Sequence, residues 1–457
     1  MSGGAEARSH DIGTILDDGP WTAAQIVAVV LAALFIILDG FDGQLIGFAI
    51  PSLIREWGVS RGDFAPVVAA GLVGMAVGSM IAGYIGDRFG RRAALFVSVF
   101  VFGAATSAIG LAPNLFTIGL LRFVAGLGIG GTLPSATTLA AEFTPKRLRA
   151  LVVTATIVSF PLGGVLAGLY AGYILPGLGW RGLFLTGGII PVVFAFLLLI
   201  VLPESPRYLA RHAERRPELL RLLARFGRSL PADAVFTDEA EQAMSLGTDR
   251  PGGIGALFEG PRARDTVALW TAFFACLFAI YSAFSWLPTM LVAEGLPQSV
   301  AGTALTAYNL GGVFGALLCA QAIGRFGSRW PMIVCGVGGA ASVLVLKLVP
   351  NEQTTLIMVA FGLHGLFANA LNCTLYAVSA FLYPTDIRAT GTATALAVGR
   401  FGAILSAFAG AALITAGGAD AFLNALGLAL IVVTVALAIM RHHIAPAIKR
   451  GAAAQMA

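Results

Sequence analysis

Long apolar runs alternate with short polar loops along nearly the whole chain. A bilayer core takes roughly 20 apolar residues per crossing helix. The runs therefore predict membrane helices at 24–46, 64–86, 93–112, 115–138, 150–174 and 181–202. A second set falls at 266–288, 299–322, 330–349, 355–380, 390–415 and 420–441. The one long polar stretch, 203–265, divides them six and six. This predicts an all-α polytopic membrane protein of twelve transmembrane helices in two six-helix bundles, 24–202 and 266–441. A cytoplasmic N-terminal segment (1–23), a cytoplasmic linker (203–265) and a cytoplasmic tail (442–457) complete the chain. The linker reads as a solvated connector, with 214–226 the part whose pattern also suits a surface amphipathic helix.

Charge sets the orientation. With the N-terminus in the cytoplasm, 23 of the 29 lysines and arginines fall in cytoplasmic segments, against Arg55, Arg61, Arg181 and Lys347 outside. Cytoplasmic loops carry this excess, so both termini are expected inside the cell's inner membrane. Arg122 and Arg400 are left within spans. The first twenty residues carry Glu6, Asp11, Asp17 and Asp18 and no leader-like apolar region.

Composition agrees, with 57% hydrophobic and 12% charged residues and a mean hydropathy of +0.85. So little charge cannot cover a soluble globule. The 57 glycines suit helices that pack closely in lipid. The net charge of +5 lies in loops that report topology, so no nucleic-acid partner is implied. Cys276, Cys319, Cys335 and Cys373 lie in apolar runs without metal-ligand spacing and read as packing thiols; no metal or cofactor is expected. No phosphate-binding GxxxxGK loop is present, since none of Lys146, Lys347 and Lys449 follows a glycine. With one intramembrane histidine and no nucleophile constellation, an enzyme is not expected either.

The halves repeat. Asp87-Arg88-Phe89-Gly90-Arg91-Arg92 aligns with Gly324-Arg325-Phe326-Gly327-Ser328-Arg329 at an offset of 237, and Pro145 and Arg149 align with Pro384 and Arg388 at 239. Agreement in offset, span number and membrane side argues for two parallel six-helix units.

Gly83 to Arg92 resembles the signature loop of the major facilitator superfamily, and the likeness extends over 20–445. The second copy carries Gly324 where Asp87 stands. Asp39-Gly40-Phe41-Asp42 is similar to the DGFD motif of the aromatic acid:proton symporters, as are Tyr383 to Gly391 and Gly399-Arg400-Phe401-Gly402. Asp386 stands where that family often has a basic residue. Pro203-Glu204-Ser205-Pro206-Arg207 is shared with sugar porters. The resemblance implies import of small aromatic carboxylates, hydroxybenzoate or protocatechuate among them, with protons, by alternating access. A sugar or polyol porter of the same fold is the alternative; the partners are then a small organic anion, protons and the lipid bilayer.

Charge inside hydrocarbon costs at least about 2.5 kcal/mol, so each buried charge is a site candidate. Asp39 and Asp42 share a helix face at i, i+3, where repulsion and desolvation favour holding a proton. Arg122 lies at a similar depth, as an ion-pair partner for the proton site or as a structural bridge. Arg400 sits roughly 15 Å deep, where a guanidinium offers a carboxylate two parallel hydrogen bonds, making it the substrate anchor. His364 is either a proton relay or a neutral hydrogen-bonding group. Asn309, Asn369, Asn372, Tyr281, Tyr308 and Tyr376 are candidates to surround a ring and its hydroxyl. At the cytoplasmic face Asp87, Arg88, Arg91, Arg92, Glu142, Arg149 and Arg388 are expected to form a gating charge network.

Overall fold

The computed structural model describes residues 9–231, 234–238, 254–260, 262–384 and 387–446. Thr385, Asp386, residues 1–8, the last eleven residues and residues 232–233, 239–253 and 261 of the predicted linker lie outside these. Among the described residues, ten helices are long and apolar enough to cross a membrane. They are α2 (Ala23–Trp57), α3 (Arg61–Phe89), α4 (Arg91–Ile109), α5 (Leu115–Phe143), α6 (Lys146–Val201), α9 (Arg262–Ala293), α10 (Gln298–Phe326), α11 (Arg329–Leu348), α12 (Thr354–Leu382) and α13 (Arg388–Ile439). The short α1 (Ile12–Asp17), α7 (Pro206–Arg211) and α8 (Arg216–Arg225) lie outside the apolar runs.

Two of the ten are double. At 56 residues α6 would extend roughly 84 Å if straight, nearly three times the ~30 Å hydrocarbon core, and α13 is 52 residues long. Each is broken by glycine in a backbone region closed to other residues: Gly179 at φ +62°, ψ −169°, and Gly418 at φ +58°, ψ −149°. Divided there, the described residues make twelve crossings, as the apolar runs predict.

Local signals set the ends. Thr22 with Gln25, and Ser60 with Asp63, form reciprocal capping boxes at the starts of α2 and α3, and the Asn114 side chain accepts the Thr117 N–H at α5. Gly90 and Gly327, equivalent in the repeat, both take positive φ (+98° and +78°) in the abrupt turns from α3 to α4 and from α10 to α11. That requirement explains why a Phe-Gly pair recurs in both loops.

Packing repeats as the sequence does. Within the first half α2 packs on α6, α3 on α5 and α4 on α6; in the second, α9 packs on α13, α10 on α12 and α11 on α13. Between halves, α6 against α10 has its counterpart in α13 against α3, and α2 meets α9. Glu56 and Glu294, at an offset of 238, each hold the turn between their half's last two crossings. Glu56 accepts from Trp180 Nε1 (2.6 Å) and from Arg181, and Glu294 accepts the Ala419 N–H at 3.0 Å.

The linker departs from a solvated connector. α8 buries Leu219, Leu222 and Leu223, and Phe226 packs edge-on against Phe143 at the end of α5 (5.8 Å). Apolar spacing of i, i+3, i+4 on so short a helix is enough to dock it. β1 (Ser9–Asp11) pairs in parallel with β2 (Val235–Thr237), tying the N-terminal segment to the linker, a non-local contact that no local pattern announces.

Candidate functional site

A narrow cavity of about 40 Å³ lies between the halves, well short of the several hundred Å³ of an open small-molecule site. The first half contributes Asp39 from α2, Met75 from α3, Ile129 and Leu133 from α5, and Ile157, Phe160 and Pro161 from α6. The second contributes Leu277, Ile280, Tyr281 and Phe284 from α9, Asn369, Asn372, Cys373 and Tyr376 from α12, and Arg400 from α13. The polar groups are thus divided unequally: Asp39 alone faces a wall that carries a guanidinium, two amides and two phenols.

Arg400 Nη1 donates to Tyr281 Oη at 3.1 Å, which aims the guanidinium along the cavity wall. Asp39 is 2% exposed, and its Oδ1 has no hydrogen-bond partner. No ion pair within 4 Å joins Asp39 to Arg400 among the described residues, and the two opposite charges line the same cavity from opposite halves. Phe160 and Phe284, 6.1 Å apart and tilted by 43°, form an aromatic wall drawn from both halves. Tyr281 packs edge-on to Phe284 at 5.9 Å, and Tyr376 to Phe273 at 5.6 Å. Asn369 donates to Gly365 O at 3.1 Å, whereas Asn372 keeps its buried side-chain oxygen unpartnered.

Asp42 diverges from Asp39. It is fully buried, neither carboxylate oxygen has a hydrogen bond, and the nearest cation is Arg122 Nη1 at 4.0 Å. Three residues advance a helix by 300°, so side chains on one broad face still differ by roughly 60° and meet different neighbours. The ion-pair partner of Arg122 is therefore Asp42 rather than Asp39, whose depth it matches. Arg122 lines a second cavity that shares Met75, Ile129, Phe160, Tyr281 and Phe284 with the first.

Other candidates lie elsewhere. Asn309 exchanges two amide bonds with Gln44 across the halves, Gln44 Nε2 to Asn309 Oδ1 at 3.1 Å and Asn309 Nδ2 to Gln44 Oε1 at 2.7 Å. Gln298 extends this contact toward the Trp57 end, with its Nε2 donating to Phe48 O (3.1 Å) and its Oε1 accepting from Ser52 Oγ at 2.9 Å. His364 is buried behind the cavity with Nδ1 2.8 Å from Ser342 Oγ, and Tyr308 is buried between it and Phe284. Cys276, Cys319 and Cys335 are buried as packing thiols would be, but Cys373 lines the cavity.

The loop charges form several small clusters rather than one network. Asp87, near the end of α3, pairs with Arg91 (2.9 Å), the first residue of α4, across the Gly90 turn, and is 64% exposed. Arg88 donates to Tyr84 Oη at 2.6 Å. Glu204, in the motif shared with sugar porters and not among the charges expected at the gate, accepts the backbone N–H of Arg92 (3.1 Å) and of Ser205 (2.9 Å). Arg92 also donates to Leu199 O, Glu142 accepts from Ser205 Oγ, and Arg149 pairs with Asp17. Arg388 donates to Tyr383 O at 3.2 Å. Gln44 was findable by the argument that singled out Asn309, an amide in an apolar run that needs a partner. Phe284 gave no signal beyond aromaticity.

Comparisons agree with this architecture. The Major Facilitator Superfamily model matches residues 32–302 and 269–455. The 4-hydroxybenzoate transporter PcaK of Acinetobacter baylyi is 33% identical, over 89% of this chain and 88% of that protein. A gallate transporter of Pseudomonas putida is 33% identical over 89% of each. Among solved structures, the inward open xylose transporter XylE from E. coli superposes with a TM-score of 0.71 at 18% identity, covering 92% of this chain and 97% of that one.

Proposed function

The chain belongs to the major facilitator superfamily, in its branch of aromatic acid transporters, and from that premise we propose that it imports small aromatic carboxylates of the hydroxybenzoate type together with protons. It is a transporter, not an enzyme. One observation carries the substrate reading: a half-buried guanidinium, aimed by a tyrosine, shares an aromatic-walled cavity with an unpaired carboxylate from the opposite half.

In this reading Arg400 receives the substrate carboxylate through two parallel bonds, while Tyr281 holds the guanidinium plane. Phe160 and Phe284 hold the ring. Asp39 takes a proton, which removes the like charge that would otherwise repel the incoming anion. Asp42 with Arg122, one helical turn away, forms the second proton-linked pair. Importing a monoanion against an inside-negative potential costs roughly 2.3 kcal/mol per 100 mV, and one accompanying proton cancels that cost. The halves then exchange access. The Gln44–Asn309 and Ser52–Gln298 contacts join the halves toward the Trp57 end. We place the linker side, with both termini, in the cytoplasm of a bacterial inner membrane, on the lysine and arginine distribution. Asp87 and its neighbours would close the inner mouth when the site faces outward.

Competition of uptake tests the substrate class. Benzoates and hydroxybenzoates should inhibit transport of a labelled hydroxybenzoate at micromolar to millimolar concentration, and hexoses and polyols should not. Inhibition by hexoses alone would turn the reading to a sugar porter.

A further inference from the structure

The lipid-facing wall of the second half carries a groove that the transport site does not use. It runs between the first turns of α9 and the last turns of α13, lined by Val267, Thr271, Ile431, Val435 and Ile439. From Ala263 to Thr271 it extends roughly 12 Å along the helix, most of one leaflet's half of the ~30 Å core. Its walls are apolar but its mouth is cationic. Arg264 lines the mouth and is exposed, and Arg441, two residues beyond the groove-lining Ile439, is exposed as well. The acid between them is already engaged: Asp265 accepts the backbone N–H of Arg441 (2.9 Å) and of His442 (3.2 Å) and faces His442 Nδ1 at 2.6 Å. Neither guanidinium has a hydrogen-bond or ion-pair partner among the described residues.

An apolar channel most of a leaflet deep, with two exposed guanidiniums at its headgroup end, is complementary to an amphiphile with an anionic head. We propose that the groove is a binding site for an anionic phospholipid, with an acyl chain between α9 and α13 and the phosphate between Arg264 and Arg441. Guanidinium recognises phosphate through paired N–H donors, and basic pockets between transmembrane helices hold acidic headgroups in this way. Arg441 is held at the mouth by its backbone bond to Asp265, so its position does not depend on a flexible tail. α9 and α13 also carry Tyr281 and Arg400. A lipid clamped across their ends steadies the helix pair that bears the proposed substrate anchor, and the site itself stands whatever the substrate is.

The test uses the purified full-length protein in detergent, with phosphatidylglycerol, phosphatidylcholine or inorganic phosphate added, read by melting temperature and by lipid retention in native mass spectrometry. Phosphatidylglycerol should be retained and should raise the melting temperature by several degrees, phosphatidylcholine much less, and phosphate alone not at all. Arg264→Gln combined with Arg441→Gln should abolish the difference between the two lipids while leaving the lipid-free melting temperature unchanged. Thr271→Trp, which fills the groove, should block retention with both arginines intact, and Arg325→Gln, elsewhere on the same face, should change nothing. Equal stabilisation by both lipids, stabilisation by phosphate alone, or a phosphatidylglycerol effect that survives the double substitution would overturn the proposal.

Discussion

Replacing Arg400 by lysine keeps the positive charge and removes the geometry, which makes it the sharpest probe of the proposed anchor. Arg400 donates to Tyr281 Oη at 3.1 Å from one terminal nitrogen, leaving its remaining donors to the cavity. A lysine ammonium is a point charge and cannot present two parallel donors to a carboxylate while holding the tyrosine. The loss is then one charge-assisted hydrogen bond, about 1.5–3 kcal/mol, or roughly a ten- to hundredfold rise in Kd. Tyr281→Phe removes only the bond that orients the guanidinium, worth about 1 kcal/mol, and should raise Kd roughly fivefold. The double variant should be little worse than Arg400→Lys alone, because a lysine no longer uses Tyr281. Calorimetric titration of 4-hydroxybenzoate into each purified variant measures all three, with melting temperature as the check on folding. Wild-type affinity in Arg400→Lys would refute the anchor and turn attention to Arg122.

Gln44→Leu or Asn309→Leu strands one buried amide, about 1–3 kcal/mol. Each should favour opening at the Trp57 end roughly tenfold or more, read as faster maleimide labelling of an Ile46→Cys reporter in a background lacking the native cysteines; unchanged labelling would deny these residues a latch role. Asp87→Asn should impair transport without lowering the melting temperature, since its pair with Arg91 is solvent-exposed, while Glu204→Gln should lower the melting temperature because two backbone N–H groups lose their charged acceptor. Wild-type uptake by Asp87→Asn would leave that loop a topology signal only. His364→Gln should leave the pH dependence of uptake unchanged, because its Nδ1 is engaged by Ser342 behind the cavity; a lost response to pH would make it the proton relay.

What the sequence revealed well was position along each helix, and what it concealed was rotation about the axis. Apolar run length and the 237-residue repeat located the crossings and the two equivalent loops. Depth alone put Asp39, Asp42 and Arg122 in one layer and Arg400 and Asn309 in another, nearer the midplane. Rotation then separated them: Asp39 into the cavity, Asp42 toward α5, Asn309 across to Gln44, with Tyr308, one residue before it, turned into the second half's core. A residue step of about 100° decides such outcomes, and an apolar sequence buried on most sides gives little amphipathic signal by which to read it. The β1–β2 pairing and the docked α8 were hidden for a different reason, because they join segments more than 200 residues apart or rest on three leucines in a basic stretch.

Proton-driven accumulation in proteoliposomes tests the central claim most directly. With an imposed gradient, acidic outside, the wild-type protein should concentrate labelled 4-hydroxybenzoate, and Asp39→Asn and Asp42→Asn should each fail to do so, while at least one still exchanges substrate in counterflow without a gradient. Accumulation by both variants at the wild-type level would contradict the proposed coupling of the cavity carboxylates to transport.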